Sequence, residues 1–428
     1  MPKPRTWLRR AARPAFEQLR AYMTWPLRAD IAALAARLDA PAAEPAAEPA
    51  AASVLAPFDM NMTLHRSRGA LLRGLPKGAQ VFVSVGCAGR WFFDWIEQCY
   101  GDIPRHIGVE YYTPPPPDLP PNVEWIANTC SDMSALPDQS CDLVFSGQNL
   151  EHLWPDEALG FFLEAARITR PGGLLAMDSP NRTITEALRT WSHPEHTVEL
   201  TTTEAIEVTE LAGFDVTAMK GIWLCRDANT GAALPLLPSE DDPLSIEERM
   251  LAAVGQPDDA FIWWLEARRS ERPPDAGGLR TRLDAIFALA WPERVARMAI
   301  GVGHPGADEN WVDVAAGIPG AVIFGPSMPL RAGAYRVGFT LAAPIAGART
   351  RCEVTLGPQA DILVSSTVDL PQGDSVVTLD FTLPELQFGI QFRCLSLGAA
   401  AFSCRRGIAL DEPPASFHFP PPRPTSAL

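Results

Sequence analysis

The sequence predicts an α/β fold built on a parallel sheet, followed by a helical segment and a C-terminal antiparallel β-sandwich. Three observations carry that expectation. Between residues 56 and 227, short apolar runs alternate with stretches of helical period. From about 299 to 412 the apolar period drops to two, with glycine and proline at short intervals. Proline makes up 42 of 428 residues, which argues against a long helical bundle because each interior proline removes a backbone donor.

Residues 1–55 read as a basic arm and a linker. The first thirty carry seven Lys and Arg against Glu17 and Asp30, and Leu27, Ile31, Leu34 and Leu38 recur at helical spacing. That seam fits a helix packed on its own protein, an oligomer contact, or a weak membrane-surface contact through residues 1–40. The run PAAEPAAEPAA at 41–51 reads as an extended, partly stiff linker.

Over 56–227 the expected strands are Val81–Val85, His106–Glu110, Val123–Ile126, Asp142–Ser146, Gly173–Met177, Phe214–Thr217 and Gly221–Cys225. Helices fall between them at Trp91–Tyr100, Asp156–Ile168 and Thr203–Ala212, the last capped by Thr202 or Thr203. Five strands with crossovers, then two closely spaced ones, predict a seven-stranded sheet ending in a hairpin. Residues 228–298 read as a helical connector with helices at Ile246–Val254, Asp259–Arg269 and Leu279–Leu289, with Trp263 and Trp264 facing a core rather than a sugar. In 299–412, Tyr335, Val337, Phe339 and Leu341 alternate with small or polar residues, as do Val377, Leu379, Phe381 and Leu383. Residues 413–428 read as a loose, Pro-rich tail.

A net charge of -15 excludes nucleic acid as the main partner of the body, because phosphate binding needs clustered Lys and Arg. No apolar run reaches the roughly 18 residues that cross a bilayer, and no secretory signal is visible. The 8 cysteines are scattered without a Cys-x-x-Cys pair, so they read as reduced, buried thiols of a cytoplasmic protein.

The chemistry is expected in the α/β part. The strand VFVSV runs into Gly86-Cys87-Ala88-Gly89 and then an amphipathic helix, a small-residue turn that lets a ligand approach the backbone and a helix N-terminus. The second strand ends in Glu110, where a carboxylate can accept from both hydroxyls of a ribose. Asp132 and Met133 follow the third strand, and Ser146, Gly147 and Gln148 end the fourth.

The run SDMSALPDQSCDLVFSGQNLEHL, continued by EAARITRPGGLLAMDSPN, resembles the class I S-adenosylmethionine-dependent methyltransferases, specifically their type 11 group. The resemblance spans roughly residues 78–225 and implies a Rossmann-like seven-stranded sheet with S-adenosylmethionine as cofactor. It implies that Gly86, Cys87, Ala88 and Gly89 border the methionine part, that Glu110 holds the ribose, and that Asp132 accepts from the adenine amino group with Met133 beside it. Ser146, Gly147 and Gln148 would lie under the sulfonium end. Two departures stand out. Ser84 occupies the position where the family carries an acid, and Ala88 replaces the middle glycine of a loop about one residue short. The added methyl tightens backbone approach, and the lost acid weakens contact with the ligand's amine.

A sulfonium is already a strong electrophile, so methyl transfer mainly needs an aligned nucleophile and removal of its proton. For a hydroxyl acceptor the base is expected among His152, after strand four, and His193 and His196, in the loop after strand five, with His196 preferred and Glu199 orienting it. Each of the three also reads as a residue that holds its loop by hydrogen bonds. No metal site is expected, because Pro194 prevents the plain helix that would align His193, His196 and Glu199. Asp178, Asn181 and Arg182 are candidates for binding acceptor hydroxyls, and Asn181 equally for shaping the turn after Pro180. The expected activity is O-methylation of a sugar in bacterial surface-polysaccharide synthesis, the sandwich helping to hold a glycan or small hydroxylated acceptor. The alternatives are methylation of a small metabolite or lipid, or a scaffold that has lost catalysis.

Overall fold

The computed structural model describes residues 59–411, apart from 88, 188–192, 228–229, 240–241, 297 and 358–360. The basic arm, the Ala/Pro/Glu linker, the Pro-rich tail and Ala88 therefore lie outside the described residues. Helix α1 (Met60–Gly74) starts where the Asp59 carboxylate accepts from Met62 N–H at 3.0 Å. The following elements are β1 (Val81–Val85), α2 (Arg90–Tyr100), β2 (Arg105–Val109), β3 (Val123–Ile126) and β4 (Cys141–Gly147). After a short 3₁₀ turn, Leu150–His152, come α3 (Pro155–Ile168), β5 (Thr169–Pro180), α4 (Arg182–Ala187), α5 (Thr202–Leu211) and β6 (Phe214–Leu224). Helix α5 is capped by Thr201, with Glu204 returning the bond in a capping box. Then come α6 (Ile246–Val254), β7 (Ala260–Arg269) and α7 (Ala276–Ala296).

The sheet has seven strands in the order β3-β2-β1-β4-β5-β7-β6. Strands β1 to β5 run parallel, and β7 is antiparallel to both β5 and β6. Two expectations are corrected here. The segment Asp259–Arg269, expected as a helix, is strand β7, and the two strands expected at 214–225 are one strand, β6, bulged between Val216 and Ala218. The hairpin thus pairs β6 with a segment from the presumed connector. The cause is burial: Ala260 through Leu265 are all buried, so the run is apolar on both faces and its period cannot tell helix from strand. Trp263 and Trp264 lie entirely inside the fold.

The C-terminal region is an antiparallel β-sandwich, formed by β8 (Ala299–Ile300), β9 (His304–Pro305), β10 (Trp311–Val314), β11 (Pro319–Leu330), β12 (Gly333–Ala343), β13 (Ala348–Leu356), β14 (Asp361–Leu370), β15 (Gly373–Leu383), β16 (Gln387–Leu397) and β17 (Phe402–Asp411). Its sheets run β15-β12-β17-β10-β9 and β14-β13-β16-β11-β8. The alternation in β12 is the one the sequence predicts: Tyr335, Val337, Phe339 and Leu341 face the core. One continuous apolar cluster joins sandwich and α/β sheet, running from Val83 and Phe161 through Ile286 and Met298 to Val312 and Phe339. At the surface of this junction Arg331 pairs with Asp156 at 2.8 Å and lies over the Trp154 ring at 4.5 Å. All 8 cysteines are free and buried. No helix among the described residues is long and apolar enough to cross a membrane.

Candidate functional site

The site is assembled where β1, β2 and β4 end. Beyond β1 the chain turns at Gly86, with φ 69°, and Gly89, with φ 118°, opens helix α2. Both values lie where side chains are strained, and a Cβ on Gly86 would stand 2.7 Å from Asn149 Oδ1. The glycine is thus required by the close passage of the turn that follows β4. Cys87 is fully buried, and burial, reinforced by the Glu110 charge, pushes its thiol well up. Ser84 is hydrogen-bonded to His106 at 2.8 Å inside the sheet, and burial drives that imidazole down to about 3, so it is neutral. An acid at position 84 would be sealed beside a neutral ring, which is the local context of the departure noted above.

At the end of β2, Glu110 Oε1 accepts from the N–H groups of Tyr112 at 2.7 Å and Thr113 at 3.0 Å. Burial raises this carboxyl, and those N–H donors pull it back. Asp132 Oδ1 accepts from Ser134 N–H at 3.1 Å, and bonding to Ser134 holds the carboxyl below its ordinary value. Met133 is entirely buried beneath it, its N–H donating to Glu164 at 2.7 Å, so the two neighbours face different surroundings.

The end of β4 carries a residue with no sequence signal. Arg68, from α1, is only 4% exposed; its guanidinium pairs with Asp178 at 2.9 Å, lies 5.2 Å from the Trp95 ring centroid and abuts Gly147. A Cβ on Gly147 would fall 2.3 Å from Arg68 Nη2. Gln148, at φ 53°, donates to Asp178 through its backbone at 2.9 Å and its side chain at 2.7 Å. Ser146 is buried and receives the Asn149 amide at 3.4 Å.

Of the candidates for acceptor binding, Asp178 and Asn181 are committed to the fold. Asp178 is fully buried in the Arg68 pair. Asn181 Nδ2 donates to the carbonyls of Pro257, Asp258 and Ala260 at 3.1–3.2 Å, and Oδ1 accepts from Thr183 N–H at 3.1 Å. This one side chain ties the end of β5 to the start of β7. Asn181→Ala strips the donor from buried carbonyls and is expected to destabilise the chain by roughly 3 kcal/mol in urea unfolding; a loss below about 1 kcal/mol would contradict that role. Arg182 is held by Glu204, by Glu186 and by the Glu199 carbonyl.

The three candidate histidines do come together. The His193 and His196 rings stack with centroids 4.1 Å apart, and the His152 ring stands perpendicular to His196 at 4.9 Å. His196 Nδ1 bonds the Glu199 carboxylate at 2.6 Å, and Glu199 also accepts from the Thr185 hydroxyl. His152 Nδ1 meets the Glu195 carbonyl at 3.2 Å, and burial, then the neighbouring His196, lowers that ring to about 3. Thr197 fixes the loop against the β4 turn, donating to the Glu151 carbonyl through its N–H at 2.7 Å and its hydroxyl at 2.9 Å. The sandwich touches the same loop, where Gly389 N–H donates to the Pro194 carbonyl at 3.3 Å.

Glu151, beside His152, went unnoticed in the sequence although it lies in the Asn-Leu-Glu-His-Leu motif. It is 1% exposed, among the described residues neither carboxylate oxygen is held at full hydrogen-bond geometry, and burial pushes it up to about 8, with the Ser179 hydroxyl pulling it back.

Residues 84–177 match the family model described as a methyltransferase domain. The α/β unit is a class I S-adenosylmethionine-dependent methyltransferase domain. A probable S-adenosylmethionine-dependent methyltransferase from Mycolicibacterium smegmatis is 38% identical over 120 residues, 28% of this chain and 44% of that protein. One from Mycobacterium tuberculosis is 39% identical over 104 residues, 24% of this chain and 37% of that protein. The matched stretches span less than half the length of these curated relatives. A solved S-adenosylmethionine-dependent methyltransferase from Archaeoglobus fulgidus is 19% identical, covering 49% of this chain and 94% of its own, at a TM-score of 0.35. In the methyltransferase domain, the Gly86 turn, Glu110 and the β4 end lie along one edge of the sheet, and the histidine cluster adjoins them through Asn149.

Proposed function

We propose that the chain is an S-adenosylmethionine-dependent methyltransferase that methylates a hydroxyl, and that its acceptor is a sugar of a bacterial surface polysaccharide or its precursor. The observation that carries the oxygen acceptor is the convergence of His152, His193 and His196 with Glu151 and Glu199 at the edge of the sheet. A neutral hydroxyl must lose a proton to become an effective nucleophile, and such a group of imidazoles and carboxylates meets that need. Contact of the sandwich with the same loop supports an extended acceptor.

The residues fit the cofactor. The backbone at Gly86 and Gly89 carries no side chain, the N-terminus of α2 faces the turn, and Glu110 ends β2 as a partly buried acid. When bound, S-adenosylmethionine supplies an activated methyl group. Glu110 holds the ribose hydroxyls, Asp132 accepts from the adenine amine, and Gly86 and Gly89 border the methionine part. The His196 imidazole, oriented by Glu199, stands in the cluster that activates the acceptor hydroxyl.

Calorimetric titration with S-adenosylmethionine and its demethylated product tests the reading. Glu110→Ala should weaken binding at least roughly 100-fold, the loss of two hydrogen bonds to a charged acceptor. No binding by the unaltered chain would overturn the assignment. Labelled methyl transfer to glycans, lipids and small alcohols identifies the acceptor, and methyl appearing on an amine or a lipid instead would overturn the sugar-hydroxyl reading.

A further inference from the structure

We infer that Glu151, His152 and His196 form a binding site for a divalent transition-metal cation of the zinc class. One ligand atom from each lies within 4.8 Å of the others. In a tetrahedral site, ligands about 2.0–2.2 Å from the ion stand about 3.3–3.6 Å apart, so closure takes a side-chain movement of at most about 1.5 Å. Two imidazoles and one carboxylate, with a fourth position open, are the donor set of catalytic rather than structural zinc sites.

Two further observations point to a cation. The Glu151 carboxylate is 1% exposed; among the described residues neither oxygen is held at full hydrogen-bond geometry, and the neutral Ser179 hydroxyl lies beside it. A buried carboxylate so weakly held is costly, and a cation between it and two imidazoles supplies the charged partner it lacks. The outer contacts of both histidines are also those of metal ligands. His152 Nδ1 bonds a backbone carbonyl, that of Glu195, and His196 Nδ1 bonds the Glu199 carboxylate, the kind of contact that orients a metal-ligating imidazole. His193 stacks on His196 outside this set. The ligands come from two segments, the turn after β4 and the loop after β5, which explains why spacing within either one conceals them.

The cation binds whatever the acceptor is. Its place at the activating end of the methyltransferase site, with the acceptor oxygen in the fourth position, rests on the function proposed above. The test uses the full chain without added histidines, stripped with a chelator and titrated with Co(II). Tetrahedral Co(II) absorption at one ion per chain, displaced by Zn(II), is expected. Glu151→Gln keeps the shape and the cofactor affinity of the unaltered chain and loses at least about 100-fold in Co(II) affinity. Absence of the Co(II) bands, or equal affinity in Glu151→Gln, overturns the cation site. S-adenosylmethionine is titrated in the same samples: binding without Co(II) bands sinks the cation and leaves the methyltransferase reading, whereas Co(II) bands without cofactor binding do the reverse.

Discussion

Arg68→Met should destabilise the chain by about 3–5 kcal/mol. Methionine keeps most of the apolar stem against Trp95 and removes the charge that faces Asp178. Asp178 is fully buried, and what then remains to it is hydrogen bonding from Gln148, which carries no charge. Burial already raises this carboxyl in the fold, and the Arg68 charge is the largest influence lowering it. Without Arg68 the folded chain therefore holds the Asp178 proton more tightly than the unfolded chain, whose aspartate titrates near about 3.9. The defect is full above the folded value and fades as pH falls toward the unfolded one. Tryptophan fluorescence during urea unfolding reads this directly. The double change Arg68→Met with Asp178→Asn should recover most of the loss, because the uncompensated charge is gone. A single variant within about 1 kcal/mol of the parent would show that the pair does not hold α1 to the sheet.

His196→Ala should lower turnover by about 10²–10⁴-fold while changing affinity for S-adenosylmethionine by less than about twofold. His196 is 6% exposed and is gripped by three neighbours: Glu199 at Nδ1, His193 on its face and His152 at its edge. It sits on a loop reached from β5 and is part of neither the Gly86 turn nor the Glu110 turn, so the two measurements separate acceptor activation from cofactor binding. Glu199→Gln keeps a hydrogen-bond acceptor but removes the charge that orients the ring, and an intermediate loss is expected. Unchanged turnover in His196→Ala removes this residue from the chemistry.

Much of the fold was legible because its signals are local. Strands β1 and β3 and helix α6 have the bounds that apolar runs and caps predict. Strand β7 was not legible, since the same period that marks an exposed face vanishes when both faces are buried. At the site, the Gly86 turn and Glu110 announce themselves through residue type and position after a strand. Arg68 and Glu151 do not. Arg68 has meaning only beside Asp178, 110 positions away, and Glu151 is conspicuous only once its carboxylate is seen to be sealed inside the fold. Histidine spacing suggested a cluster but not its membership, because His152 joins it from a different loop.

Strand β7 leaves its mark on the order in which the chain can fold. It is the last strand of the sheet to be synthesised, yet it lies between β5 and β6, both made earlier. A nascent chain that has emerged only through Leu224 holds β5 and β6 with no strand to join them, each offering an unpaired backbone edge. Completion waits for residue Arg269, and the pairing of β7 with β5 closes a long sequence separation. Translation through this interval is therefore the window in which the protein is exposed to misassociation and to chaperone capture. A ribosome-bound chain ending near 227 should resist proteolysis far less than one ending beyond 269.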